Sequence, residues 1–109
     1  MKRRRFVVTP EARQDLIEIW DYVAEESIKR ADEVLARLYD SFMELAQSPG
    51  MGHYREDLAD RRHRFWTVHP YVVVYRWQTT PLQIIVVVHG ARHLKAFFEE
   101  RIESAEGEA

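Results

Sequence analysis

The chain has 109 residues, 46% hydrophobic and 31% charged, which fits one compact domain and excludes both a second core and a disordered chain. It holds no cysteine, which excludes disulfides, thiolate metal sites and cysteine nucleophiles, and its apolar runs are too short for a membrane span or a signal peptide, so a reducing cytoplasm is the expected location. The net charge of −2 conceals segregation: residues 1–10 carry four bases and no acid, 11–44 ten acids and four bases, 45–98 seven bases and three acids, and 99–109 five acids and one base.

Arg5-Phe6-Val7-Val8 reads as a short strand closed by Thr9-Pro10-Glu11. Thr9 can cap a following helix, Pro10 suits the first helical position, and Glu11 favours the positive end of the helix dipole. Ala12, Leu16, Ile19, Trp20 and Val23 then recur at three- and four-residue spacing, with Arg13, Gln14, Asp15, Glu18 and Asp21 assigned to the polar side. After a break at Glu26-Ser27, with Ser27 as cap, Ala31, Val34, Leu35, Leu38, Phe42 and Leu45 form the stripe of a second helix. Glu33 and Arg37 are spaced for a surface pair, and Ser48-Pro49-Gly50 stops the helix. The short connection predicts an antiparallel helix hairpin.

Residues 49–62 read as an ordered loop anchored by Met51, Tyr54 and Leu58. Three strands are expected next, His63–Val68, Tyr71–Trp77 and Leu82–Val88, joined by tight turns into an antiparallel meander. Ile84–Val88 is apolar on both faces and so belongs at the centre of the sheet, whereas Arg76 marks an exposed position. Leu94–Ile102 is expected to be a short helix with Leu94, Phe97, Phe98 and Ile102 as anchors, leaving 103–109 as a frayed acidic tail. The order defines a single α+β domain over residues 1–109, with both long helices on one face of the sheet.

Few residues carry the signature of a catalyst. His89 and His93 have the spacing of two helical metal ligands, but Gly90 lies between them at a strand end, so no metal and no cofactor is expected. The glycines make no phosphate loop, the serines have no nucleophile-elbow context, and the acid pairs Glu25-Glu26 and Asp32-Glu33 lie on solvent faces. Arg61, Arg62, Arg64, Arg76 and Arg92 are the more telling set. Their forked side chains either hold a phosphate backbone or an acidic protein patch, or they pair with the acids of the helices. Trp20, Trp66 and Trp77 divide in the same way between base-stacking platforms and half-core residues.

The string Ala12–Val23 resembles the first helix of the ParE branch of the RelE/ParE toxin superfamily. Pro49-Gly50-Met51-Gly52 with Arg55-Glu56-Asp57-Leu58, Tyr71–Arg76, and Val88-His89-Gly90-Ala91-Arg92-His93 are similar to three further landmarks of that family, in the same order. The resemblance implies a strand, helix hairpin, meander and short C-terminal helix. It also implies a toxin of a bacterial, plasmid-stabilisation type of toxin–antitoxin system, bound by a cognate antitoxin and touching DNA only through it. RelE-branch members cleave messenger RNA on the ribosome, whereas the ParE branch poisons DNA gyrase. The positions matching the RelE chemistry hold Val72, Phe65 and Thr67, and Phe97 and Phe98 stand where a tyrosine is wanted. The resemblance therefore favours a gyrase-binding toxin, with His89, Arg92, His93, Phe97 and Phe98 as target contacts. The alternatives are a nuclease using Arg64, Arg76 and Arg92, or a degenerate member that binds antitoxin without toxicity.

Overall fold

The computed structural model describes residues 5–90 and 94–107, with side chains to Ile102. The order is β1 (Phe6–Val8), α1 (Pro10–Ala24), α2 (Ile28–Gln47), a 3₁₀ turn (Pro49–Met51), β2 (His63–Val68), β3 (Tyr71–Arg76), β4 (Leu82–His89) and α3 (Leu94–Gly107). Both helix starts form as their caps predict: Thr9 Oγ1 accepts from Ala12 N–H at 3.2 Å and Ser27 Oγ from Arg30 N–H at 3.1 Å. Arg37, expected to pair with Glu33, instead donates to the carbonyl of His69 at 2.8 Å and ties α2 to the β2–β3 turn.

The sheet runs β1-β4-β3-β2, with β4 central as its two apolar faces require. β2, β3 and β4 form the antiparallel meander, and β1 adds in parallel, pairing only with Leu82–Ile84. A bulge follows: Tyr75 pairs with Ile84 and Val74 with Val86, so Ile85 has no β3 partner. Beyond it, β4 extends past the end of β1, and among the described residues no strand covers its outer edge.

The hairpin covers one sheet face, where Leu16, Leu38, Phe42 and Leu45 pack on Val73, Tyr75 and Ile84. The other face is not open. There α3 and the loop at Leu58 and Ala59 cover Phe65, Val74, Val86 and Val88, making a second, smaller core around Phe98. The expected pair of layers is thus three, because the apolar turn Leu94–Phe98 folds back over the meander. α3 also runs to Gly107 rather than ending at Ile102, since Glu, Ser and Ala there permit helix and no proline intervenes. Met51, Tyr54 and Leu58 anchor their loop as expected: Met51 packs on the first core, Leu58 on the second, and Tyr54 against Trp77.

Candidate functional site

The arginines before the meander are neutralised locally. Arg55 pairs with Asp57 at 3.1 Å, Arg61 with Glu56 at 2.8 Å and Arg62 with Asp60 at 2.7 Å. The Arg62 guanidinium holds the Asp60 carboxyl far below the usual carboxylate range. Arg64 is further constrained: its guanidinium lies 4.1 Å from the Tyr54 ring centroid and 4.2 Å from that of Trp77, and it donates to the Gly52 carbonyl at 2.8 Å and the Tyr54 hydroxyl at 3.1 Å. Its Nε is buried without a partner. Arg64 is a loop-fixing residue held in an aromatic sandwich.

Arg64 and Arg76 are not brought together. Arg64 is in register with Tyr75 and Arg76 with His63, so the two side chains leave opposite faces of the sheet. Arg64, opposite Tyr75, and Arg76 itself lie roughly 13 and 16 Å along the strands, at their usual rise, from Tyr71, the β3 partner of His89. Arg92 and His93 lie outside the described residues. The tryptophans are half-buried: Trp20 Nε1–H donates to Asp32 at 2.9 Å, Trp77 Nε1–H donates to the Arg61 carbonyl at 2.9 Å, and Trp66 stacks with His53 at 6.2 Å between ring centres.

Of the target-contact residues, His89 and Phe97 share one site. They line a cleft of about 710 Å³ together with Asp15, Glu18, Ile19, Tyr22, Tyr71, Val87 and Val88. Tyr22 is 76% exposed at this cleft, and Tyr71 meets the His89 imidazole edge to face at 5.8 Å between ring centres. Burial pushes the Tyr71 phenol above its ordinary pKa, so it offers the cleft a neutral hydroxyl. Phe98 is withdrawn from this set. It is 4% exposed, its ring centre lies 5.1 Å from that of His63 and 6.0 Å from that of Phe65, and it belongs to the core under α3.

Asp15 is the residue that the polar-side assignment misplaced. It is 5% exposed, and its carboxylate accepts the Val87 amide at 3.0 Å and the Arg101 guanidinium at 2.7 and 3.1 Å. Arg101 also donates to the Ile85 carbonyl at 2.7 Å. The two side chains satisfy β4 backbone groups that a longer β1 would have met. A signal was present: Asp15 stands three residues after Ala12 and four before Ile19, on the apolar stripe itself, and Arg101 is the one base of its acidic segment.

His63 is 5% exposed, with Nδ1 3.3 Å from Asp60 and its ring against Phe98. Burial lowers its pKa below 6.5, outweighing the opposing pull of Asp60, with Arg76 and Arg62 lowering it further. An unfolded chain then binds the proton more readily than the folded one, so stability is full above pH 6.5 and falls as pH drops from there toward the folded-state value. His63→Gln is expected to flatten that slope in urea unfolding series between about pH 5 and 7, while the acid loss that follows from Asp60 at lower pH persists. An unchanged slope would remove His63 as its source.

On the far side of α1, the outer surface of the hairpin carries an apolar groove of about 330 Å³ lined by Leu16, Ile17, Trp20, Leu35 and Tyr39, with Arg13 and Asp21 beside them. Ile17 is 47% exposed and Met43 52%. Tyr39 leads from this groove to Phe6 of β1, 6.1 Å between ring centres. The Arg5 carbonyl and Thr9 amide bond inward to β4, so strand alternation turns the backbone groups of Phe6 and Val8 toward the open edge. Among the described residues no three metal-ligating side chains converge, and no helix is long and apolar enough to cross a membrane.

A small mixed sheet with a helix hairpin on one face and a third helix clasping the other is the fold expected of a RelE/ParE-like toxin, and comparison places it more closely. Residues 6–94 match the family described as ParE toxin of type II toxin-antitoxin system, parDE, and the chain belongs to that family. Among solved structures it is similar to the chromosomal ParDE toxin–antitoxin system from P. aeruginosa, with a TM-score of 0.66 and 21% identity over 80% of this chain and 96% of that one, a likeness of fold. A comparison with curated proteins gives no match.

Proposed function

We propose that this ParE-family chain inhibits DNA gyrase through the cleft at the end of β4 and is neutralised by a cognate antitoxin on the hairpin side, both in the cytoplasm. The observation that carries the first part is the pairing of His89 with Phe97 in one open cleft, while Arg64 and Arg76 sit on opposite faces at the other end of the sheet. Cleavage of RNA needs a proton donor and cations around one phosphate, and dispersed arginines cannot supply that. Inhibition by binding needs only an exposed, well-packed surface.

Pulse labelling after induced expression tests the target. Thymidine incorporation is expected to fall before methionine incorporation, and purified protein is expected to block supercoiling of relaxed plasmid. Early loss of methionine incorporation would point to translation instead and end the gyrase reading.

For the antitoxin, the groove over Ile17 and Tyr39 suits the apolar face of a helix, and the β1 edge reached through Phe6 suits an extended segment adding as a strand. Ile17→Asp is expected to weaken antitoxin binding by about 2 kcal/mol or more, roughly thirtyfold in Kd, with the fold intact because Ile17 is exposed. Calorimetric titration showing unchanged affinity would move the antitoxin elsewhere.

A further inference from the structure

We infer that Asp15 and Arg101 are positioning residues for the target cleft, acting through Phe97. The inference rests on the cleft reading above and adds how that cleft is kept in shape. Phe97 is half-buried on α3, which joins α1, β3 and β4 in lining the cleft but has no backbone ladder to the sheet. Its ring lies 5.0 Å from the Arg101 guanidinium, one helical turn on. That guanidinium is fixed from behind by both oxygens of buried Asp15 and by the Ile85 carbonyl on the β4 edge that β1 leaves bare. Asp15 in turn is fixed by the Val87 amide.

A chain of contacts therefore runs from β4 through Asp15 and Arg101 to the half-buried ring that lines the cleft a partner would meet. The planar fork matters more than the charge: one face stacks on Phe97 while the N–H groups reach two acceptors on different elements. A lysine ammonium has the charge but neither the plane nor the fork. Asp15 and Arg101 need not touch the target to control binding, since Phe97 presents the surface and they hold it there.

The test is a double-mutant cycle between Arg101 and Phe97, read as growth inhibition at matched expression and, for purified protein, as inhibition of gyrase supercoiling. Arg101→Lys keeps a cation on the buried carboxylate and so preserves the fold, which thermal melting checks. It and Phe97→Ala are each expected to weaken inhibition by about tenfold. The pair together should be little worse than Phe97→Ala alone, because the arginine acts through the ring. Hydrogen exchange at the Val87 amide and along α3 should rise in Arg101→Lys. Additive losses, or full potency in Arg101→Lys, would overturn the inference even if the wild type is toxic. A wild type that arrests growth without blocking supercoiling would end the gyrase reading and leave the growth cycle to decide this one. A wild type inhibiting neither would remove both.

Discussion

Gly52→Ala is expected to cost about 3 kcal/mol of stability or more, while Gly50→Ala, two residues earlier, changes it by about 0.5 kcal/mol or less. A Cβ on Gly52 would stand 2.5 Å from the Tyr75 hydroxyl and 2.8 Å from the Phe65 carbonyl, whereas one on Gly50 meets nothing within 4 Å. Neither neighbour of Gly52 can yield. Tyr75 is fully buried, and its hydroxyl accepts the Gly52 amide at 2.9 Å while donating to the Pro49 carbonyl at 2.7 Å. The Phe65 carbonyl is held by the His53 amide at 2.8 Å. Relief of the clash would break this set and displace the loop that supplies Tyr54 and the Gly52 carbonyl to Arg64. In urea the midpoint should fall by something on the order of 1–3 M for Gly52→Ala, given the usual slope for a domain of this size. Equal midpoints for the two variants would mean that the close approach does not govern the loop.

The contrast between those two glycines shows where reading a sequence stops. Pro49-Gly50-Met51-Gly52 announces a turn, and the helix caps, the hairpin and the meander are equally plain, because each rests on neighbours in the chain. Which glycine is indispensable depends on Tyr75 and Phe65, residues whose approach only the folded sheet decides. The same limit separates the site residues. Phe97 and Phe98 are adjacent and alike in composition, yet α3 turns one into the cleft and the other into the core. Arg64 and Arg76 look like parts of one basic surface until strand pairing sends them to opposite faces. Asp15 was legible in principle, since a lone carboxylate on an apolar stripe implies a buried partner, but its partner stands 86 positions away. The third layer was missed for the same reason: a short apolar turn near the C-terminus signals burial without saying against which face.

Asp15→Ala is expected to be the other severe substitution, at about 3–5 kcal/mol, because it strands a partly buried guanidinium and leaves the Val87 amide unmet. The value measures the broken pair, not what the pair contributes to folding. Taking both charges out of water is itself costly, so Asp15→Leu combined with Arg101→Met should recover much of the loss, with a residue of about 1–3 kcal/mol for the Val87 amide and the Ile85 carbonyl left without partners. The single Arg101→Met should fall nearer Asp15→Ala than to the double variant, since it buries an uncompensated carboxylate that keeps only the Val87 amide. Urea unfolding of the three variants beside the wild type tests this order. A double variant less stable than Asp15→Ala would mean that the two charges do more than compensate one another. The expected order instead makes the pair a specifying device: apolar substitutes can fill its volume, but only the carboxylate and its fork cap the bare edge of β4 and join α1 to α3 across it.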